Sequence, residues 1–554
     1  MDINIRIAGE AGQGVKTTGE LLIGSFARMG LSVLASKSYM SRIRGGLNWI
    51  DVRIADQELF APRDETDLLV ALNDNALEVL RETVTDGGMI VYDGEEAEGA
   101  AAWDFNKIAQ NLVGSKVMAN TVAAGVIYAI LGYDVEKLCD HLEKVFGKKG
   151  EEVVKKNQQC ARKGVELADE LAGALKSPNH DHAPPDVVDG ATAIALGAAT
   201  AGVKVVTAYP MTPGTATLTY LAQIGDRYGI IVEQAEDEIA AVNMVCGAAY
   251  AGVPAMAPTS GGGYALMGEG VSLAGIMELP IFLVDAQRPG PATGLPTRTG
   301  QQDLNFVRYS GHGEFPKAIF APGTVHQSYE LTRRGLEQAH KWQTPVILLT
   351  DQFLQDLEKN VEPLDETLRP IDRCIKEDAG ADYKRYEVTE SGVSPRAIPG
   401  GAARVSCDSD AHTEEGKITE SLQEHMAQTD KRMRKECGLI DDWLPPEHYG
   451  PEDAGTLLVC WGSTYGPARE AVDRLNADGG DYAMLHFAQV WPINADRARQ
   501  AIGDRKRVVM VEGNQTGQLA ALLREQQVIG DVELLLRYDG LPLTAGYIVR
   551  EVIQ

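Results

Sequence analysis

Short apolar runs along this chain end repeatedly in turns rich in Gly, Pro, Ser or Thr, and an amphipathic stretch follows each turn. The pattern is densest between residues 203 and 303, in VVTAYPMTPGTATL, QAEDEIAAVNMVCGAAYAG, TSGGGYALMGEG and VDAQRPGPATG. It predicts strands at 203–208, 230–233, 255–259, 281–285 and 346–350, with helices between them. Repeated strand–helix units imply a parallel sheet covered by helices on both faces. Such sheets hold ligands at the carboxyl ends of their strands. Segments 209–215, 236–238, 260–263 and 287–293 are therefore expected along one edge of one sheet, as an active site.

The rest of the chain divides around this part. Residues 1–178 form a first unit that opens with a strand at 3–7, a loop carrying Gly9, Gly12 and Gly14, and a helix over 15–29. The loop amides could hold a phosphate or carboxylate at the helix N-terminus. The GxxGxG spacing equally suits a plain tight turn, because it completes neither the dinucleotide fingerprint nor a phosphate loop. Segment 36–48, SKSYMSRIRGGLN, is polar and basic through Arg42 and Arg44, and reads as a ligand-facing loop or a solvated turn. Further strands are predicted at 68–72 and 89–92 and a helix at 117–131. A linker over 179–188 carries His180 and His182 among prolines, a metal pair or a solvated one. Residues 189–360 are the second domain. Residues 361–452 are rich in charge, Pro and Gly and read as a connecting segment on the surface, with one helix at 418–436. Residues 453–554 form a smaller α/β domain, with strands at 456–461, 484–487 and 508–512 and a helix at 468–475.

A chain of 554 residues exceeds one core, and about three or four domains are expected. Hydrophobic residues make up 44% and charged residues 24%, an ordinary globular balance. The net charge of −27 argues against nucleic acid or an anionic membrane as partner. The seven cysteines lie far apart, without the clustered spacing of zinc or iron–sulfur ligation and without a secreted disulfide framework. The first residues lack the pattern of a signal peptide, and no stretch of about 20 residues is apolar enough to span a membrane. The expected location is cytoplasmic.

Three acids, Glu236, Asp237 and Glu238, meet at one predicted helix start, with Ile239, Val242, Val245, Cys246 and Ala249 following at helical spacing. First-turn acids offset the helix dipole, which explains one or two of them. A carboxylate turned inward among Ala and Gly could share a proton with a ring nitrogen. Arg288 sits in QRPGP, where the rigid frame could hold a guanidinium for a carboxylate; a surface turn is the other reading. Arg298, in PTRTGQQD, is a second candidate cation. Thr212 is fenced by two prolines in YPMTP, as a positioned hydroxyl or an ordinary turn threonine.

YPMTPGT is similar to the YPITP motif of the 2-oxoacid:ferredoxin oxidoreductases, and the three following runs, with GHGEFP at 311–316, resemble later blocks of the same subunit. GEAGQGVKTTGELL resembles the start of the gamma domain. The resemblance covers nearly the whole chain and is closest to the alpha subunit of 2-oxoglutarate:ferredoxin oxidoreductase. It implies an α/β fold of three domains: a gamma domain, a parallel-sheet pyrimidine-binding domain for thiamine diphosphate, and a transketolase C-terminal-like domain. Met211 stands where the family usually has Ile, and Gly214 replaces the usual Ser.

Carried over by position, Glu238 would bond the aminopyrimidine of thiamine diphosphate. Tyr209, Pro210, Met211, Ser260, Gly261 and Gly262 would line the cofactor, and Thr212 and Arg288 would hold the 2-oxoacid carboxylate. Arg298 would help with the distal carboxylate of 2-oxoglutarate. Gly12, Gly14, Arg42 and Arg44 would contact coenzyme A or another anion. A beta subunit would supply magnesium, the diphosphate site and a [4Fe-4S] cluster, in a dimer of heterodimers that reduces ferredoxin. The implied reaction takes 2-oxoacid, coenzyme A and oxidised ferredoxin to acyl-coenzyme A, carbon dioxide and reduced ferredoxin, or the reverse. The alternatives are the same chemistry on pyruvate or a branched-chain 2-oxoacid, a non-catalytic anion-binding scaffold, and a stand-alone transketolase-like enzyme, which would need a magnesium motif not found here.

Overall fold

The computed structural model describes residues 1–41, 45–179, 183, 184 and 186–553. Arg42, Arg44, His180 and His182 lie outside the described residues. Two compact units are present. One comprises Met1–Val188, Asp356–Pro363 and Thr544–Tyr547; the other comprises Asp189–Gln355, Leu364–Leu543 and Ile548–Gln554.

The N-terminal unit is built on a mixed sheet of eight strands. Its centre is Asp2–Ala11, paired parallel with Thr66–Ala71 and antiparallel with Gly45–Ala55. Arg6 faces Asp51 across this antiparallel pair and binds it twice, at 2.6 and 2.9 Å. The helix Ala119–Leu131 is buried along its length and meets the helix Glu151–Leu167 at Gly125 and Gly164. A Cβ on either glycine would lie within 2.2 Å of a carbonyl of the other helix, so only glycines allow this approach.

The segment expected as a polar loop at 36–48 is mostly strand. Ser32–Ser38 and Gly45–Ala55 pair antiparallel from Ser32↔Ala55 to Ser38↔Trp49. Ser36 and Ser38 are buried there, and small hydroxyls at inward positions hid the two-residue alternation.

The second unit holds two sheets. The larger runs Gln489–Trp491, Ala318–Phe320, Val346–Asp351, Phe282–Gln287, Ala255–Thr259, Val205–Ala208, Ile231–Gln234. Six strands are parallel, and Gln489–Trp491 is an antiparallel edge strand from the C-terminal region. On one face Ala257, Leu283 and Ile347 pack with Val242 and Val271, in a core continuous with Leu457 and Val459 of the smaller sheet. On the other face Met256, Val284 and Leu348 pack with Ile194, Leu221 and Leu336. The smaller sheet has five strands, with Thr456–Trp461 at its centre between Tyr482–Phe487 and Arg507–Glu512.

The charge-rich stretch before the helix Leu422–Asp441 carries only isolated bridges, Ile375↔Arg396 and His412↔Ile418, among its described residues. Several of its charges are nevertheless buried. Glu278 takes Lys431 Nζ at 2.6 Å and also pairs with Lys435, and Arg385 Nη2 donates to the Glu278 carbonyl at 2.8 Å. Burial alone would raise the Glu278 carboxyl, but Lys435, Lys431 and Arg385 hold it well below the usual carboxylate range. Burial pushes Lys435 down to about 7.

Candidate active site

The four parallel strands Val205–Ala208, Ile231–Gln234, Ala255–Thr259 and Phe282–Gln287 are neighbours, and their carboxyl ends meet at one edge. That edge brings together Tyr209–Thr215, Glu236–Glu238, Ser260–Gly263 and the loop after Gln287, as the pattern of apolar runs predicts. Tyr209 and Pro210 are exposed, Met211 and Thr212 half-buried.

The three acids part company here. Glu236 is exposed. Asp237 caps the helix Glu238–Tyr250, its carboxylate accepting from the Ala240 N–H at 2.7 Å. Glu238 turns inward and is 2% exposed, and its Oε1 has no hydrogen-bond partner among the described residues. The helix buries Ala241, Val242, Val245, Cys246 and Ala249 with it. Ile239, expected on that face, is 50% exposed, because the position beside Glu238 lies a quarter-turn off the buried stripe.

A glycine wall stands beside the inward carboxylate. A Cβ at Gly263 would lie 2.5 Å from Glu238 Oε1 and 2.1 Å from Thr259 Oγ1. Gly261 is pressed against Asp303 in the same way, at 2.4 Å from Oδ2, while Gly262 is exposed and its Cβ would meet nothing closer than 3.9 Å. Thr259 Oγ1 and Ser260 Oγ are buried and also lack partners among the described residues. Buried polar atoms rarely stay unpaired, and a run of them at a strand edge marks a place built for a polar ligand. The inward carboxylate suits a ring amine or ring nitrogen, which fits an aminopyrimidine. Gly214 is also explained: its Cβ would sit 2.6 Å from the Thr259 carbonyl, so a serine there would force the turn to shift.

Arg288 follows the strand Phe282–Gln287 and donates from Nη1 to the Thr212 carbonyl at 2.7 Å. The two candidates for carboxylate binding thus lie together. Burial lowers the Arg288 guanidinium, and the Asp303 charge offsets this. Arg298 is half-buried, its backbone N–H bonded to the Leu295 carbonyl at 3.2 Å and its Cβ beside Gly540. Burial lowers its guanidinium too.

Sequence reasoning passed over Asp285 and Asp303, and placed Gln287 on this edge only as the start of segment 287–293. The Asp303 backbone N–H donates to Gln287 Oε1 at 3.0 Å. Asp285 is fully buried with both oxygens unpartnered among the described residues. Its signal was legible: a single carboxylate inside the apolar run PIFLVDAQ.

In the N-terminal unit, Gly12 and Gly14 take φ of +96° and +87°, which accounts for glycine at both places. Gly14 caps the helix Val15–Arg28, and a Cβ there would strike Asn120. The loop borders a cavity of about 840 Å3 that Lys16, Lys37 and Lys116 also line. Among the described residues, no group of three or more His, Cys, Asp or Glu could hold a metal ion, and no helix is long and apolar enough to cross a membrane.

Residues 196–431 match the family model "Pyruvate flavodoxin/ferredoxin oxidoreductase, thiamine diP-bdg", and residues 4–167 match "Pyruvate ferredoxin/flavodoxin oxidoreductase". The chain is similar to the alpha subunit of 2-oxoacid:ferredoxin oxidoreductase 2 from Aeropyrum pernix, 30% identical over 98% of this chain and 96% of that one. It is also similar to the 2-oxoglutarate oxidoreductase subunit KorA of Mycobacterium tuberculosis, at 27% over 99% and 91%. Among solved structures it superposes on 2-oxoglutarate:ferredoxin oxidoreductase from Magnetococcus marinus, determined with 2-oxoglutarate, coenzyme A and succinyl-CoA bound. The TM-score is 0.92 and the identity 33%, covering 100% of this chain and 99% of that one. With likeness along the full length and a thiamine-diphosphate-binding domain at its centre, the chain belongs to the 2-oxoacid:ferredoxin oxidoreductases, as an alpha subunit.

Proposed function

We propose that this alpha subunit, joined to a beta subunit, carries the pyrimidine half of a thiamine diphosphate site and oxidises 2-oxoglutarate with coenzyme A and ferredoxin. The observation that carries the reading is Glu238: a buried carboxylate with one oxygen unpartnered, facing a glycine wall at the ligand edge of the sheet. When bound, the cofactor supplies the electron sink for the carbanion left as carbon dioxide departs. Glu238 holds the aminopyrimidine, in contact with Tyr209, Pro210, Met211, Ser260, Gly261 and Gly262. Arg288, held to the Thr212 carbonyl, meets the carboxylate next to the reacting carbon, with the Thr212 hydroxyl beside it. Arg298 meets the distal carboxylate. Magnesium and the [4Fe-4S] cluster belong to the beta subunit, and the assembly is a dimer of heterodimers.

Coenzyme A belongs at the N-terminal cavity, where Gly12, Gly14 and the lysines Lys16 and Lys116 offer backbone N–H groups and positive charge to phosphates, Lys37 being paired with Glu358. The choice of 2-oxoglutarate is supported by the full-length likeness to the Magnetococcus marinus enzyme and to KorA. Pyruvate is the second reading, favoured by the names of both matching family models.

The test uses the complex with its beta subunit. It should contain thiamine diphosphate and reduce a viologen with 2-oxoglutarate and coenzyme A, far faster than with pyruvate. Glu238→Gln should cost roughly 10²–10⁴-fold in kcat with the fold unchanged. Activity on pyruvate alone would overturn the substrate, and full activity of the variant would overturn the role of Glu238.

A further inference from the structure

In the smaller sheet the chain passes from Thr456–Trp461 to Tyr482–Phe487 on one side, then crosses to Arg507–Glu512 on the other, all three parallel. The carboxyl ends of Thr456–Trp461 and Arg507–Glu512 therefore flank the point where strand order reverses, the crevice in which an open α/β sheet keeps its ligand. Here the crevice holds a side chain of the same polypeptide. Gln301 is 2% exposed; its Nε2 donates to the Trp461 carbonyl at 2.8 Å, and its Oε1 accepts the Gly513 N–H at 2.8 Å. Its backbone N–H donates to the Gly513 carbonyl, also at 2.8 Å. One carboxamide thus meets one strand end with its donor and the next with its acceptor, which neither a carboxylate nor an ammonium could do. The slot is cut to this side chain: a Cβ on Gly462 would lie 2.8 Å from Gln301 Nε2, and one on Gly513 would lie 3.1 Å from its Cγ.

Gln301 stands at the end of the loop that carries Arg288 and Arg298, and the bonds around it tie that loop to the C-terminal region. The Thr299 N–H donates to the Gly540 carbonyl at 3.2 Å, and the Gln518 carboxamide bridges the Gln302 carbonyl at 2.8 Å and the Asn305 N–H at 3.0 Å. The loop is also closed on itself. Gln302 Oε1 accepts the Gly290 N–H at 3.1 Å, and the Pro289 carbonyl accepts the Leu295 N–H at 2.9 Å. Residues 291–295, between these ties, are exposed. A loop closed in this way moves as one piece, so its stem sets where its side chains stand. We propose that Gln301 is a positioning residue for the 2-oxoacid: by filling the ligand crevice of the C-terminal sheet, it makes that sheet the anchor that fixes Arg298 over the substrate. Arg288 starts from the strand Phe282–Gln287 and is held to the Thr212 carbonyl, so it depends less on this anchor. The inference rests on the reading of Arg298 as the holder of the distal carboxylate.

The experiment uses the complex with its beta subunit and two variants that reach the same contact from opposite sides. Gln301→Met keeps the length of the side chain and removes both carboxamide bonds. Gly513→Ala leaves the loop untouched and crowds Gln301 from the sheet. Gln301→Met should raise KM for 2-oxoglutarate roughly tenfold with kcat within about threefold, and Gly513→Ala should raise KM about threefold. Thiamine diphosphate retention should stay at wild type, which a general loosening of the fold would not allow. Hydrogen exchange at the N–H groups of Thr299 and Gln301 should quicken in both variants, a readout independent of activity, while the helix Glu238–Tyr250 keeps its protection. Unchanged exchange, or a fall in kcat and cofactor retention as large as the rise in KM, would overturn the proposal. Arg298→Ala separates the two readings. An unchanged KM there overturns the role of Arg298 and the positioning role built on it; a raised KM there, with an unchanged KM in Gln301→Met, overturns the positioning role alone.

Discussion

A methyl group on Gly263 would meet Thr259 Oγ1 at 2.1 Å and Glu238 Oε1 at 2.5 Å. At this residue, size alone sets where the inward carboxylate can stand. Gly263→Ala should therefore displace Glu238, cost about 1–3 kcal/mol in stability, and weaken thiamine diphosphate retention measured by dialysis of the complex. Gly247, on the exposed side of the same helix with nothing within 4 Å of its Cβ, is the control. Gly247→Ala should raise stability by about 0.5–1 kcal/mol and leave cofactor retention alone. If both variants lose cofactor equally, the glycine wall is not what places Glu238.

At the scale of elements, legibility followed the clarity of local signals. Ala255–Thr259 and Thr456–Trp461 were read to the residue, because each is an apolar run closed by a Ser or Gly turn. Three-residue edge strands such as Gln489–Trp491 carry no period to read, since their pairing is decided by distant partners. The residues alone left open which of Glu236, Asp237 and Glu238 turns inward, and only the family resemblance singled out Glu238; Asp303 was missed because its environment is made by the strand end at Gln287. The stretch 361–452 was read as surface because it is rich in charge, yet Lys431, Lys435 and Arg385 are buried around Glu278. Charge composition predicts exposure only where no opposite charge waits inside. This buried cluster joins the helix Leu422–Asp441 to the end of the helix Gly268–Met277. Glu278→Gln leaves two buried lysines without an anion, and should cost about 3–5 kcal/mol in urea unfolding. Replacing Glu278, Lys431 and Lys435 together with Leu, Met and Met should recover much of it; a triple variant no more stable than Glu278→Gln would assign the loss to packing.

Across the whole molecule, burial depresses several histidines: His141, His412 and His486 to about 4 and His340 to about 3. The sign is fixed by linkage. Below the ordinary value near 6.5 the unfolded chain takes up protons that the folded chain refuses, so stability falls as pH drops toward 4. Asp93 and Asp303, raised to about 6 by burial, act oppositely: folded protein keeps their protons longer, and stability falls as pH rises from the ordinary carboxylate range to 6. A single-residue comparison removes this competition. His486 is fully buried, with Nε2 at 3.1 Å from the Gly462 carbonyl. Between pH 7 and 5 the thermal midpoint of wild type should fall more steeply than that of His486→Asn, whatever their absolute values. Equal slopes would mean that His486 takes up its proton in the folded state.

The strand Glu358–Asn360 sits in the sheet of the N-terminal unit, paired on one side with Ser32–Ser38 and on the other with Val187–Val188. Residues far downstream thereby seal an edge that residues 1–188 cannot close for themselves. A fragment cut at 188 would bare the hydrogen-bonding groups of a largely buried strand, Ser32–Ser38, an invitation to stack with its own copies. It should sediment as oligomers, and a peptide of residues 356–363 should return it to a monomer; severing this chain at its linker yields not a free domain but an adhesive one.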